Sequence, residues 1–301
     1  MQNQKTTLSC LDSVKRKQNN KRPSPSTIAI VSSCIDRSTS METFQGIVAK
    51  SLVDFIEQQK QNSKDNNIEV IYNLTMFDTV KEHIYEQKSI HDISLTLEEA
   101  SQITEPRGLT NLFTTAISEL ETLICQIKEI RNRPETQHKD VKGIFYLFTD
   151  GMDNQSTLHN HIDLKNSIRI AESENITCIF AAANQDALSS GDQYGFDTNN
   201  CLSMNSEGDG ATMGLRACSQ AVGRVISGQN SGFTQLERET SVPIPIPIPL
   251  FRSQNTLIQT HHIPNTPNVT PSSFSPSFSN LTVQIPTNNS PPPVLIRQST
   301  L

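Results

Sequence analysis

Residues 27–41 read Thr-Ile-Ala-Ile-Val-Ser-Ser-Cys-Ile-Asp-Arg-Ser-Thr-Ser-Met. The apolar run at the start is typical of a β-strand, and it ends in oxygen-bearing side chains at alternate positions, Asp36, Ser38 and Ser40. A loop at the carboxyl end of a parallel strand can hold such oxygens together, and Mg2+ prefers oxygen ligands in near-octahedral geometry. The stretch therefore predicts a strand followed by a loop that binds a metal ion.

The rest of the region from residue 27 to residue 228 alternates apolar runs of strand length with segments of helical period. This pattern predicts an α/β fold of doubly wound, Rossmann-like type, with a mostly parallel sheet and helices on both faces. We expect one antiparallel strand, at residues 80–85, to form the edge of the sheet beside a strand at 68–76. The other predicted strands are 27–31 or slightly longer, 143–148, 176–183 and 201–204, and the predicted helices are 41–60, 112–133, a helix containing Leu164, Ile168 and Ala171, and 211–227.

Two further loops carry oxygen side chains next to predicted elements. Thr110 comes just before the long helix predicted at 112–133, and Asp150 follows the buried strand predicted at 143–148. The loops of Asp36 and Asp150 should meet at the carboxyl edge of a parallel sheet, which is where open α/β sheets bind ligands. Without a metal, Ser38 and Ser40 have a simpler interpretation as a turn residue and a helix cap.

These residues resemble the metal-ion-dependent adhesion site of the von Willebrand factor A domain family. The match consists of Asp36-Arg37-Ser38-Thr39-Ser40 as the Asp-x-Ser-x-Ser motif, Thr110 as the separate threonine and Asp150 as the second aspartate. The order of predicted elements also matches, over roughly residues 27–228. The resemblance implies that Asp36, Ser38, Ser40, Thr110 and Asp150 hold Mg2+ or another divalent cation such as Mn2+.

The resemblance also implies a function in protein–protein binding, without catalysis. One coordination position of the metal would stay open and accept a carboxylate from a partner protein. The three hydroxyls carry no charge, so an incoming Glu or Asp would gain a strong contact with the ion. We expect the surrounding residues Arg37, Met41, Asn111 and Met152 to shape the partner surface, while Asp153 is either an acid that supports the metal ligands or a solvated turn residue. An adaptor role in a multiprotein assembly is a further implication of the resemblance.

An enzyme is the alternative from another class. In phosphotransferases of the haloacid dehalogenase type, an aspartate after the first strand attacks phosphate with the help of Mg2+, and Asp36 has the corresponding position. That family requires a second aspartate two residues later, where this chain has Ser38, and no lysine is well placed for the phosphate. We therefore expect no enzymatic activity.

The two ends of the chain have a different composition from the middle. Residues 1–26 carry a net charge of +5 and predict a basic, disordered arm, while residues 229–301 are rich in Pro, Ser and Thr and predict a disordered tail. Removing the +5 of residues 1–26 and the +2 of residues 241–301 from the chain's −6 leaves −13 on residues 27–240. Such an acidic middle argues against nucleic acid as the principal ligand.

The location of the protein follows from segments that the sequence lacks. The amino terminus has no apolar run of the secretory type, and no stretch approaches the roughly twenty apolar residues that span a bilayer. We expect an intracellular, cytoplasmic protein, and the basic run at residues 15–22 offers a nuclear import signal as an alternative. Residues 27–228 are expected to form the single folded domain, and the oligomeric state is left open.

Overall fold

The computed structural model describes residues 25–183, 186–206, 209–230 and 232–242. Within these residues the chain forms a six-stranded sheet and seven α-helices. The strands are β1 (Thr27–Asp36), β2 (Glu69–Phe77), β3 (Lys81–Ser89), β4 (Asp140–Thr149), β5 (Ile176–Ala183) and β6 (Cys201–Met204). The helices are α1 (Gln45–Asn66), α2 (Leu97–Ile103), α3 (Leu112–Asn132), α4 (His161–Ser173), α5 (Ala187–Tyr194), α6 (Gly210–Ile226) and α7 (Gln235–Ser241).

The sheet has the strand order β3-β2-β1-β4-β5-β6. All neighbouring pairs are parallel except β2 with β3, which is antiparallel and places β3 at one edge. The predicted α/β fold with one antiparallel edge strand is therefore confirmed. From β1 the chain first adds β2 and β3 on one side, and it then crosses to the other side of β1 to form β4. This reversal of direction makes the carboxyl ends of β1 and β4 a topological switch point, the usual position of a ligand crevice.

Helices cover both faces of the sheet, and each strand contributes alternate residues to the two faces. In β1, Ala29 and Val31 pack into the core under α1 and α6, while Ile28 and Ile30 pack into the core under α3 and α4. Side chains of a strand alternate between its two faces, so a strand that is buried on both sides reads as a continuous apolar run. The same reason explains why β4 and β5 could be recognised from the sequence.

The first strand is longer than predicted. Its pairing continues through the two serines of the run Val31-Ser32-Ser33, as far as Asp36 opposite Phe77 of β2. Ser32 and Ser33 are polar but buried between neighbouring strands. A pattern of apolar residues therefore could not identify them as part of the strand. The helix predicted from residue 41 begins later: Thr39–Phe44 is a 3-10 turn, and α1 starts at Gln45.

The folded region extends beyond the predicted boundary at residue 228. Residues 235–241, which we assigned to the disordered tail, form α7, and this helix packs against α6 and β6. Arg238 of α7 donates a hydrogen bond to the carbonyl oxygen of Cys201 at 2.7 Å, and Arg224 of α6 pairs with Glu237 at 2.8 Å. These contacts join segments far apart in sequence, which explains why composition alone placed the boundary too early.

The remaining predictions for the two ends fall outside the described residues. Of the arm predicted at 1–26, the structure describes only residues 25 and 26, and of the tail predicted at 229–301 it describes nothing after residue 242. None of the helices in the described part of the chain is both long and apolar enough to cross a membrane.

Candidate metal centre

Three loops approach one another at the switch point of the sheet. The first loop (residues 36–40) follows β1, the second loop (107–111) precedes α3, and the third loop (150–156) follows β4. Because β1 and β4 are adjacent and parallel, with Ile35 opposite Phe148, the first and third loops leave the sheet side by side. The fold therefore brings the two predicted aspartate loops together, as the sequence predicted.

Asp36 lies at the base of this crevice and is only 1% exposed. Its Oδ1 accepts a hydrogen bond from the backbone N–H of Ser38 at 2.7 Å, and its Oδ2 accepts one from the hydroxyl of Thr149 at 2.6 Å. Burial raises the pKa of the Asp36 carboxyl to about 6, although these two hydrogen bonds act in the opposite direction, and the charge of Asp150 adds to the rise. An ionised Asp36 thus costs free energy that a nearby cation would offset.

Ser38, Ser40 and Asp150 form a hydrogen-bonded chain between the first and third loops. The Ser40 hydroxyl donates to Oδ1 of Asp150 at 2.7 Å, and the hydroxyls of Ser38 and Ser40 are 3.0 Å apart. Burial also raises the pKa of the Asp150 carboxyl, and the bond from Ser40 lowers it. The structure therefore places four of the five predicted ligands in one connected group.

Neither serine acts as the helix cap that the simpler interpretation required. Ser38 precedes the 3-10 turn in the N-cap position, but its side chain makes no capping hydrogen bond, and α1 begins five residues after Ser40. Asn and Ser side chains at an N-cap normally accept a bond from a backbone N–H of the first turn. The two hydroxyls instead face each other and Asp150.

Thr110 is brought to the same crevice by the backbone of its loop. It is 2% exposed, its N–H donates to Oδ1 of Asn154 at 2.8 Å, and its carbonyl oxygen accepts from the N–H groups of Asn154 and Gln155, both at 3.1 Å. The hydroxyl of Thr110 has no hydrogen-bond partner among the residues that the structure describes. The second loop is thus fastened to the third loop through Asn154, a residue that sequence reasoning did not single out.

The first and second loops are also bonded directly. The N–H of Thr39 donates to the carbonyl oxygen of Gly108 at 3.2 Å, the Thr39 hydroxyl donates to the same oxygen at 2.9 Å, and the N–H of Arg107 donates to the carbonyl oxygen of Arg37 at 2.8 Å. Gly108 has a φ of +68°, and a Cβ there would lie 2.6 Å from the Thr79 hydroxyl oxygen. Glycine is therefore the residue that permits the close approach of these loops.

Several predicted neighbours of the site have other roles. Asp153 accepts hydrogen bonds from the N–H groups of Phe113 and Ser156, so it fastens the start of α3 to the third loop and is not a free turn residue. Met41 and Arg37, which we expected at the partner surface, are buried, Met41 in the core under α1. Met152 is 72% exposed, and its part in a partner surface stays a prediction. Asn111 accepts a bond from the Ser156 hydroxyl at 2.9 Å.

The donor set has the chemistry that a hard divalent cation requires. Carboxylate and hydroxyl oxygens suit Mg2+ and Mn2+, and the soft thiolate and imidazole ligands of other metals play no part in it. In the described part of the chain, no group of three or more His, Cys, Asp and Glu side chains is arranged to hold a metal. The centre contains two carboxylates, so binding would depend equally on the hydroxyls of Ser38, Ser40 and Thr110. The residues present fit such an ion.

No protein-family model matches the sequence, and no curated protein matches it. Solved structures with a similar fold include proximal thread matrix protein 1 from the mussel byssus, at 12% identity and a TM-score of 0.45 over 67% of this chain and 47% of that chain. A form of the same mussel protein with a zinc-occupied MIDAS motif has 13% sequence identity and a TM-score of 0.41, over 67% of this chain and 46% of that chain. The von Willebrand factor domain of a type V pili tip protein from Porphyromonas gingivalis has 10% sequence identity and a TM-score of 0.45, over 67% of this chain and 97% of that chain.

This chain thus spans less than half the length of the mussel structures. At these identities and TM-scores the similarities assign neither a metal nor a partner to the chain. The candidate centre is defined by its own residues and their geometry.

The raised pKa of Asp36 predicts a specific dependence of stability on pH in the protein without metal. The folded-state pKa is about 6 against an ordinary 3.8, so the folded state holds this proton more tightly, and stability falls as pH rises from about 4 to 6. Asp36→Asn cannot ionise and should lack this loss, which is up to about 3 kcal/mol for a shift of about two pKa units. Urea unfolding in EDTA at pH 4–7 measures the difference between the two proteins. If the free energies of unfolding of the two proteins changed in parallel with pH, ionisation of Asp36 would not destabilise the fold.

Proposed function

We propose that this chain is a von Willebrand factor A type module that binds a divalent cation, Mg2+ or Mn2+, and through it a carboxylate of a partner protein. The ligands in this proposal are Asp36, Ser38, Ser40, Thr110 and Asp150. The observation that carries it is the hydrogen-bonded group of Asp36, Ser38, Ser40 and Asp150 at the switch point of the sheet. The order of the motif along the chain and the strand order of the sheet support the same assignment.

The arrangement of the side chains explains how such a centre would work. Asp36 is fixed by Ser38 and Thr149 before any ligand arrives, so little conformational entropy is lost when its carboxylate binds. The hydroxyls of Ser38 and Ser40 only need to rotate to present lone pairs. A bound Mg2+ would supply a concentrated positive charge with room for one more oxygen ligand. Three of the five ligands are neutral, so a carboxylate from a partner meets limited repulsion at the centre.

Binding without turnover is part of the proposal. In phosphotransferases of the haloacid dehalogenase type, the aspartate after the first strand works with a second aspartate two residues later. Ser38, which occupies the position of the second aspartate of the phosphotransferase motif, bonds to Ser40. These features favour binding over phosphoryl transfer. Hydrolysis of para-nitrophenyl phosphate with Mg2+ that disappears in Asp36→Asn would overturn this part of the proposal.

An intracellular location also belongs to the proposal. Cys34, Cys125, Cys178, Cys201 and Cys218 are all free thiols, and all of them except Cys125 are buried. Free thiols persist in the reducing interior of the cell, whereas secreted domains more often form disulfides. Fractionation of cells that produce the full chain tests this location.

The metal itself gives the first test of the function. Mg2+ or Mn2+ should raise the melting temperature of the full chain, because a ligand at 100 times its dissociation constant stabilises a folded protein by about 2.7 kcal/mol. Thr110→Ala and Asp36→Ala should reduce or abolish the rise. Thr115→Ala is a matched control, since Thr115 is a threonine of α3 that is as buried as Thr110 but lies outside the ligand set. A rise in all variants alike would show that the ion binds elsewhere.

The second test concerns the partner. A protein captured by the full chain in Mg2+ should be released by EDTA, and it should not be captured by Thr110→Ala while Thr115→Ala captures it normally. Replacing the partner's contacting Glu or Asp by the corresponding amide should then abolish binding, because the amide cannot supply the negative charge that the cation requires. Capture that is insensitive to EDTA and to Thr110→Ala would contradict a metal-mediated contact.

A further inference from the structure

Four charged side chains lie beside the candidate centre without belonging to its ligand set. They are Arg37 of the first loop, Arg107 of the second loop, Asp78 in the turn between β2 and β3, and Glu82 of β3. We refer to this group as the arginine clamp. Its two guanidinium groups and two carboxylates sum to zero, so the group adds no net charge beside the neighbouring centre.

The two arginines share the same acceptor atoms. Oδ2 of Asp78 accepts from Nε of Arg37 and from Nε of Arg107, both at 2.9 Å. Oε2 of Glu82 accepts from Nη2 of Arg37 at 2.6 Å and from Nη2 of Arg107 at 3.0 Å. A guanidinium group presents its N–H donors in a rigid planar fork, so each arginine is fixed by two acceptors in both position and orientation.

The clamp is embedded on one side and open on the other. Arg37 is 3% exposed, and its third contact is a hydrogen bond from Nη1 to the carbonyl oxygen of Ile103 at 3.2 Å. Asp78 is also buried, whereas Glu82 and Arg107 are about half exposed. Burial raises the pKa of the Asp78 carboxyl, but hydrogen bonds from Val80 N–H, Arg107 and Arg37 outweigh it and hold the pKa below its ordinary value. The Asp78 carboxyl is therefore ionised at neutral pH.

The positions of the arginines connect the clamp to the metal ligands. Arg37 is the residue between Asp36 and Ser38, so its guanidinium anchors the backbone from which both ligands project. Arg107 lies three residues before Thr110, and the N–H of Asn111, just after Thr110, donates to the carbonyl oxygen of Asp78 at 3.0 Å. Asp78 and Glu82 thus connect the first and second loops to each other from the β2–β3 hairpin, which lies outside both loops.

We propose that the arginine clamp is a positioning device that sets the spacing of the first and second loops and thereby makes the centre selective for Mg2+ over Ca2+. The inference rests on the proposed function, because it assumes that the centre binds a divalent cation. Mg2+ requires near-ideal octahedral geometry at about 2.0–2.1 Å, whereas Ca2+ accepts irregular geometry at about 2.3–2.6 Å. Looser loops should therefore weaken Mg2+ binding more than Ca2+ binding.

The test uses Arg107→Met and Glu82→Gln in the full chain, because both side chains are half exposed and their replacement leaves the buried Arg37–Asp78 pair in place. Calorimetric titration should show Mg2+ affinity lower by about tenfold, the usual effect of removing a residue that orients metal ligands. Ca2+ affinity should change by a smaller factor. Arg133→Met is the matched control: it removes an arginine that is 41% exposed and paired with Glu129 at the far end of α3, and it should change neither affinity.

A measurement without metal complements the titration. In EDTA, the amide hydrogens of Thr39 and Asn111 should exchange faster in Arg107→Met and Glu82→Gln than in the wild type. The Thr39 N–H joins the first loop to the second, and the Asn111 N–H joins the second loop to Asp78, so both bonds should open more often when the clamp is weakened. They should be unchanged in Arg133→Met.

The possible outcomes distinguish a failure of the clamp proposal from a failure of the proposed function. If the wild type binds Mg2+ and both clamp variants bind it equally well, or lose Mg2+ and Ca2+ affinity by the same factor, the clamp does not set selectivity and the proposed function stands. If the wild type binds neither ion, the proposed function fails and the clamp's positioning role fails with it.

Discussion

The burial of the Asp36 carboxylate at the junction of β1 and β4 is the constraint on which the rest of the site depends. A parallel sheet covered on both faces gives this carboxylate almost no access to water, so its charge must be stabilised by neighbouring groups. The protein itself supplies two hydrogen bonds, from Ser38 and Thr149, and the pKa of Asp36 still lies above its ordinary value. These hydrogen bonds therefore offset the burial of Asp36 only in part, and the charge of the proposed cation would offset the remainder.

The surrounding structure restricts the loops from three directions. The third loop holds Thr110 through Asn154, the first and second loops share backbone hydrogen bonds at Gly108 and Arg107, and the arginine clamp ties both to β3. Hydroxyl oxygens are weak ligands individually, so a centre built from them depends on accurate placement more than a centre built from four carboxylates would. Under the proposed function, the contacts that converge on these short loops would supply this placement.

Much of the architecture could be predicted from local patterns. The bounds predicted for β5 and β6 agree with the structure, because continuous apolar runs between turn residues identify buried strands. Three short helices, α2, α5 and α7, were missed, although the sequence contained a capping-box signal for two of them. Thr96 with Glu99 and Thr234 with Glu237 form capping boxes at the starts of α2 and α7, and recognition of the Thr-x-x-Glu pattern would have found both.

Contacts between distant segments could not be predicted in the same way. Arg37 lies within the motif and Met41 directly follows it, so both were expected at the partner surface, but their burial depends on β3 and on the core under α1. The pairing of Arg37 with Glu82 spans 45 residues, and no local pattern specifies it. The candidate ligand residues were accessible to sequence reasoning because each follows or precedes a recognisable element, whereas the residues that hold their loops in place were not.

A crystal structure of the full chain grown with Mn2+ would test the central claim most directly, because anomalous scattering locates this ion without reference to any assumed ligands. The account predicts one strong anomalous peak in the crevice, in contact with the hydroxyl oxygens of Ser38 and Ser40 and next to Asp36, Thr110 and Asp150. A structure with these loops unchanged and no peak between them, or with the ion bound at another place, would contradict it.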